Sequence, residues 1–172
     1  MSSFITTHDP KTGLSKFSSQ VPESQNPLPI PSGTVNWLYS SHATQPDISN
    51  GNDNDIQQFA HDRVNGMPNG SIAPPQGFSA SVFTLDGGKV GAMHRTLTLD
   101  VLLLVEGVVE LWLDGGEMRV VKAGDSVVQR GTMHQWKNIT PNNGIAKFAA
   151  FTVPISGPFE VAGKEMKSTF SI

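Results

Sequence analysis

His94 and Thr96 stand two residues apart, and Asp100 follows four positions later. His134, Trp136 and Asn138 repeat the two-residue spacing further along the chain. Side chains two apart leave a strand on the same face. If the two segments line one barrel, two imidazoles and a carboxylate converge inside it, and a barrel mouth is a natural small-molecule site. An imidazole at its ordinary pKa of about 6.5 exchanges protons at neutral pH. Asp100 beside one ring would fix its tautomer and favour the imidazolium form. Such a set can take a proton from beside a carbonyl and protonate a departing hydroxyl, which is a dehydration. Returning the proton to another carbon is an isomerisation. His94, His134 and Asp100 are therefore the candidate catalytic residues, and Thr96, Gln129, Trp136 and Arg130 the candidate substrate-binding ones. Trp136 shares the face of His134 and either stacks on a planar substrate or fills the core. Arg130, beside Gly131, either grips a substrate carboxylate or is structural. Arg95 is expected to point away from His94.

The elements that must position these groups are short. The second half of the chain is a series of strand-like runs broken by turns: Phe78 to Leu85, Val90 to Thr98, Val101 to Val105, Val108 to Leu113, Met118 to Val121, Ser126 to Gln129, Met133 to Ile139 and Ala146 to Val153. Strands of this length with regular turns predict an antiparallel sandwich or barrel over residues 78–172. The all-apolar run Val101 to Val105 requires cover on both faces, one from the barrel core and the other from the N-terminal arm or a second subunit. The expected core is Val101 to Val105, Val109, Leu111, Leu113, Val120, Val127 and Phe148. Residues 1–77 read as an arm. The first 80 residues hold nine of the twelve prolines. Within the arm, Ile5-Thr6-Thr7 and Leu14 to Phe17 flank a hairpin turn. Val35 to Tyr39 is strand-like, and Asp55 to His61 suits one or two helical turns with Asp53 or Asp55 as N-cap.

The spacing of the two histidine segments resembles that of the cupin superfamily. Its first motif, G-x5-H-x-H-x3-E-x6-G, is matched by Gly88, His94, Thr96, Asp100 and Gly107, with Thr in place of the second His and Asp in place of Glu. Its second, G-x5-P-x-G-x2-H-x3-N, is matched at its end by Gly131, His134 and Asn138; Gln129 takes the Pro position, and the interval from Gly124 is one residue short. The chain is similar to small single-domain cupins with an N-terminal arm, many from secondary-metabolite pathways. The resemblance implies an all-β double-stranded β-helix, or jelly-roll barrel. It also implies a lyase, dehydratase, decarboxylase or isomerase. Cupins commonly hold a divalent metal on three His and one Glu. Here the implied ligands are His94, Asp100 and His134, a two-His, one-carboxylate set suited to Fe(II) oxygenase or decarboxylase chemistry. The cofactor expectation is thus either none or one divalent metal ion.

Composition narrows the classes. The net charge is −3 with no basic excess, which disfavours a nucleic-acid or acidic-membrane partner. No apolar run is long enough for a transmembrane helix. The chain has no cysteine, so thiol nucleophiles and thiolate metal sites are excluded. The start, Met1-Ser2-Ser3-Phe4, has no secretory-signal pattern, which favours the cytoplasm. The expected function is a lyase or isomerase, dehydratase-like, acting on a small, mostly apolar metabolite. The alternatives are a metal-dependent dioxygenase or decarboxylase and a non-catalytic ligand-binding protein. A homodimer is expected, from analogy with small cupins and from the need to cover the sheet.

Overall fold

A computed structural model describes residues 1–169. In chain order the strands are β1 (Thr6–His8), β2 (Ser15–Phe17), β3 (Leu28–Ile30), β4 (Gly33–Ser41), β5 (Phe78–Leu85), β6 (Thr98–Glu106), β7 (Val108–Leu113), β8 (Met118–Lys122), β9 (Ser126–Arg130), β10 (His134–Asn138), β11 (Ala146–Pro154), β12 (Glu160–Val161) and β13 (Lys164–Glu165). The α-helix, α1 (Asn54–Asn65), lies between β4 and β5. The barrel is built from a six-stranded sheet, β3-β4-β5-β11-β6-β9, and a three-stranded sheet, β10-β7-β8. Every pairing is antiparallel. The sheet runs across residue 77: β4 of the expected arm pairs directly with β5, and β3 pairs with the other edge of β4. The early hairpin forms as expected, with Thr6 opposite Phe17.

Between the sheets lies a core of Leu85, Leu102, Leu104, Val109, Leu111, Val121, Trp136, Ala146, Phe148 and Ala150. A second cluster joins α1 to β4 through Val35, Trp37, Ile56, Phe59, Met67 and Ile72. The helix is longer than expected because Ile56 and Phe59 have this apolar surface to pack on. Asp53 is its N-cap residue but makes no side-chain cap bond. Its carboxylate instead accepts from Thr7 Oγ1 and Gln20 Nε2, both at 2.7 Å, which ties the hairpin and the following loop to the helix start.

Two expectations about the core are corrected. In the 101–105 run the strand alternates: Leu104 is 1% exposed, whereas Leu103 is 45% exposed and Val101 and Val105 also face outward. Pleating sends successive side chains to opposite faces, so an apolar run need not be buried throughout. For the same reason Val121, not Val120, enters the core. The expected strand from Val90 to Thr98 is mostly extended loop. It touches β10 through bridges at Val90–Lys137 and His94–His134, and β6 begins only at Thr98.

The register stacks the inner side chains in layers, since directly paired residues share a face. Leu104, Phe148, Phe83 and Val35 form one layer, and Val127, Leu102, Ala150, Ser81 and Trp37 the next. The third is wholly polar: Gln129, Asp100, Thr152, Ser79 and Ser40 lie side by side across β9, β6, β11, β5 and β4. All five are buried.

Candidate active site

His94 and His134 meet through their backbones. Each N–H donates to the other's carbonyl, at 2.9 and 2.8 Å. The ring centroids lie 4.4 Å apart. Both rings are oriented by the chain two residues before them: Nδ1 of His94 donates to the Ala92 carbonyl and Nδ1 of His134 to the Thr132 carbonyl, each at 2.9 Å. A carbonyl only accepts, so Nδ1 carries a proton in both rings, and in His134, whose pKa is pushed down, Nε2 is left with its lone pair. Backbone carbonyls thus set the tautomers, and Asp100 does not, contrary to the expectation from spacing.

His134 is buried, and burial pushes its pKa down to about 4; the nearby His94 lowers it further, while the Thr132 bond opposes the fall. The imidazolium form expected from an adjacent carboxylate is therefore disfavoured: desolvation is the main cause of the fall, and Asp100 is not among the groups acting on the ring. Trp136 lies edge-on to His134 at 6.1 Å and against Phe148 at 4.8 Å. It is both core and a wall beside the histidine.

Asp100 sits in the polar layer, and burial raises its carboxyl above the usual range. Hydroxyls of Thr98, Thr152 and Thr96 oppose that rise. Thr98 Oγ1 donates to Thr96 Oγ1 at 2.8 Å, and Thr96 Oγ1 approaches Asp100 Oδ2 at 3.5 Å. Two polar atoms of the layer remain without a partner, Asp100 Oδ1 and Gln129 Nε2. They belong to register-paired residues that are 6% and 3% exposed. The Gln129 Oε1 atom accepts from the Thr132 hydroxyl, which turns the amide nitrogen away from that turn. A donor and an acceptor left unmatched in the interior suit a ligand hydroxyl or carbonyl, because leaving them bare is costly.

Arg130 does not join this group. It follows Gln129 on β9, so pleating sends its side chain to the exposed outer face. Arg95 is turned away from His94, with Nε donating to the Gly131 carbonyl at 2.9 Å. Asn138 closes the second motif structurally. Its Nδ2 reaches the carbonyls of Leu85, Asp86 and Gly144, and its Oδ1 accepts from the Thr140 N–H. Thr98 and Thr152 were not singled out from sequence; a Thr among the apolar residues of Ala146–Pro154 was the available signal. A second polar group also went unread: Asp62 on α1 is buried and accepts from Ser40 Oγ at 2.7 Å and His42 Nε2 at 2.9 Å. It borders a cleft of about 360 Å³ on the helix.

The donor set falls short of a metal centre. The histidines offer two Nε2 atoms, but Thr96 occupies the position of the third ligand, and the Asp100 carboxylate is embedded among threonine hydroxyls. Among the described residues no group of three or more His, Cys, Asp or Glu is arranged to hold a metal ion. The residues present do not fit a three-ligand centre.

Two facing antiparallel sheets with a histidine pair beside a buried polar layer define a double-stranded β-helix, the jelly-roll barrel. No protein-family model matches the chain. The chain is 31% identical over 165 residues to the cupin-domain-containing oxidoreductase fogC of Aspergillus ruber, covering 95% of this chain and 76% of that protein. It is 32% identical over 164 residues to the oryzines biosynthesis cluster protein J of Aspergillus oryzae, covering 95% and 87%. Among solved structures, the cupin domain of Schizosaccharomyces pombe Cnp3 superposes with a TM-score of 0.54 at 11% identity, covering 90% of this chain and 88% of that one. The chain belongs to the cupin family.

Proposed function

We propose that this cupin is a cytoplasmic enzyme of secondary metabolism that moves protons on a small, uncharged metabolite, as a lyase or isomerase of dehydratase type. The observation that carries the reading is His134: a buried, neutral imidazole whose Nδ1 is held by a backbone carbonyl and whose Nε2 is left as a base. Similarity to cluster proteins such as the oryzines protein J supports the pathway setting.

In the proposed reaction Nε2 of His134 takes a proton from the carbon beside a substrate carbonyl. Gln129 Nε2 donates to the carbonyl oxygen as charge develops there. Asp100, whose burial favours the protonated form, gives its proton to the hydroxyl on the next carbon, which leaves as water. The C–H electron pair becomes the new C=C bond as the C–O bond breaks, so the β-hydroxy carbonyl yields an unsaturated carbonyl plus water. If His134 instead returns the proton to a different carbon, the product is an isomer. His94 lies against His134 and can pass the proton outward.

A second reading, oxidation, is favoured by the similarity to the cupin-domain-containing oxidoreductase of Aspergillus ruber. The two are separated by incubating the protein with a fungal metabolite extract in D2O, with and without oxygen. Proton transfer gives a product that has lost water or gained solvent deuterium, equally without oxygen, and His134→Asn abolishes it. A product formed only with oxygen uptake would overturn the reading in favour of oxidation.

The proposal includes a homodimer. The outward side chains Val101, Leu103, Val105, Val128 and Phe151 are all exposed on the six-stranded sheet. A second copy would cover them through a two-fold contact.

A further inference from the structure

The segment after β11 folds back across the mouth of the barrel. Ile155 N–H donates to the Leu97 carbonyl at 3.1 Å, and Met166 N–H to the Phe159 carbonyl at 2.8 Å. A Cβ on Gly131 would stand only 2.9 Å from the Phe159 ring, so the glycine makes room for that ring. The segment then reaches the two histidines' neighbours. Thr169 N–H donates to the Arg95 carbonyl at 3.0 Å, and Arg95 N–H donates to Thr169 Oγ1 at 2.9 Å. Thr169 Oγ1 also contacts Met133 Sδ at 3.9 Å. One residue thus bridges Arg95, which follows His94, and Met133, which precedes His134.

Beside this bridge is a cleft of about 570 Å³, the volume of a small-metabolite site. One wall is the loop from Asn69 to Ile72, the other is Ser168 and Thr169, and Thr96 and Leu97 complete it. Thr96 also connects it to the polar layer, since its hydroxyl bonds Thr98 and approaches Asp100. None of the lining residues carries a charged side chain. The charged groups closest in sequence are engaged elsewhere: Arg95 Nε holds the Gly131 carbonyl, and Lys167 pairs with Glu165 at 3.4 Å. The lining presents hydroxyls, of which Ser168 Oγ donates to the Arg95 carbonyl at 3.2 Å, and an amide, with apolar surface from Ile72 and Leu97 and nothing that would offset the desolvation of a charged ligand.

We propose that this cleft is the substrate groove, that it takes a neutral, oxygen-bearing metabolite, and that residues 168–169 form its specificity wall. The proposal rests on the reading that the chemistry occurs at His134 and Asp100, and it adds the ligand class and the route. Charged acids and amines are excluded for want of a counter-charge. Bulky molecules are excluded by the strap, which Thr169 ties to Arg95 and Met133, the chain neighbours of the two histidines.

The test uses four compounds with one ring: cyclohexanol, cyclohexanone, cyclohexanecarboxylate and cyclohexylammonium. Backbone-amide NMR spectra of the full chain are recorded with each. The alcohol and ketone are expected to shift Ser71, Thr96, Leu97 and Thr169, and the two ions are not. Ser168→Trp, which fills the wall, is expected to weaken the neutral ligands about tenfold or more, while Leu14→Trp, on the exposed first hairpin, leaves them unchanged. Thermal unfolding of both variants confirms that the fold is retained. The proposal is overturned if the ions bind as well as the neutral rings, if the neutral rings do not bind, if the shifts map to the cleft at His42 and Gln58, or if Ser168→Trp binds like the parent. The catalytic reading fails separately: a His134→Asn protein that keeps turnover refutes proton transfer while leaving ring binding in the cleft intact.

Discussion

His94 and His134 are joined by a reciprocal pair of backbone hydrogen bonds, and their rings lie 4.4 Å apart at the centroids. The two residues come from segments 40 positions apart, and the bridge between them fixes how far either imidazole can move. Two bases held this close, with Nδ1 of each tied to a carbonyl, share one region of the mouth. Charging one raises the cost of charging the other, which is part of why His134 stays neutral.

The first prediction follows from that neutrality. The folded pKa of His134, about 4, lies below the ordinary 6.5. Between those values the unfolded chain binds the proton and the folded chain does not, so stability falls as pH drops from 6.5 toward 4. Urea unfolding at a series of pH values should show this slope, and His134→Asn should flatten it. An unchanged slope in the variant would show that the buried imidazole is not its source.

Asp100 gives the opposite kind of test. Burial raises its carboxyl, so its charged form is a cost to the fold at neutral pH. Asp100→Asn keeps the shape and removes the charge. It should leave stability unchanged or raise it by about 1–2 kcal/mol while turnover is lost. A large destabilisation would mean that the threonine hydroxyls favour the carboxylate over the neutral acid.

Leu103 and Leu104 separate core from interface. Leu104→Ala should cost about 2–5 kcal/mol, as for other buried leucines. Leu103→Glu should cost the single chain little, because its side chain is 45% exposed there, but should convert a dimer to a monomer in sedimentation velocity. If wild type already sediments as a monomer, the dimer proposal is withdrawn.

Asn138 should behave as a structural residue. Asn138→Ala leaves the buried carbonyl of Leu85 and the part-buried carbonyl of Gly144 without this donor, at about 1–3 kcal/mol for a buried group left unpaired. The unfolding midpoint should fall, with activity per folded molecule unchanged.

Metal removal is the remaining test. With Thr96 in the third-ligand position, exhaustive chelation should leave both turnover and unfolding unaltered. One tightly held Fe, Mn, Ni or Zn per chain by elemental analysis, lost in His94→Ala, would instead assign His94 and His134 as ligands.

The sequence by itself determined the barrel and most strands of its second half, and it set His94 and His134 at matching motif positions. Turn residues such as Asp114-Gly115-Gly116 and the spacing of His94, Asp100, Gly131 and His134 are local signals that survive in one dimension. It did not reveal that Val101, Leu103 and Val105 face outward, because an unbroken apolar run carries no alternation to read. Nor did it separate Gln129 from Arg130 as the inward-facing residue. Tertiary structure decided these through strand register, which also assembles Gln129, Asp100, Thr152, Ser79 and Ser40 from five strands into one buried layer. It also decided the protonation of His134. A pKa depends on how much water and charge surround a group, and those neighbours are set by contacts distant in the chain.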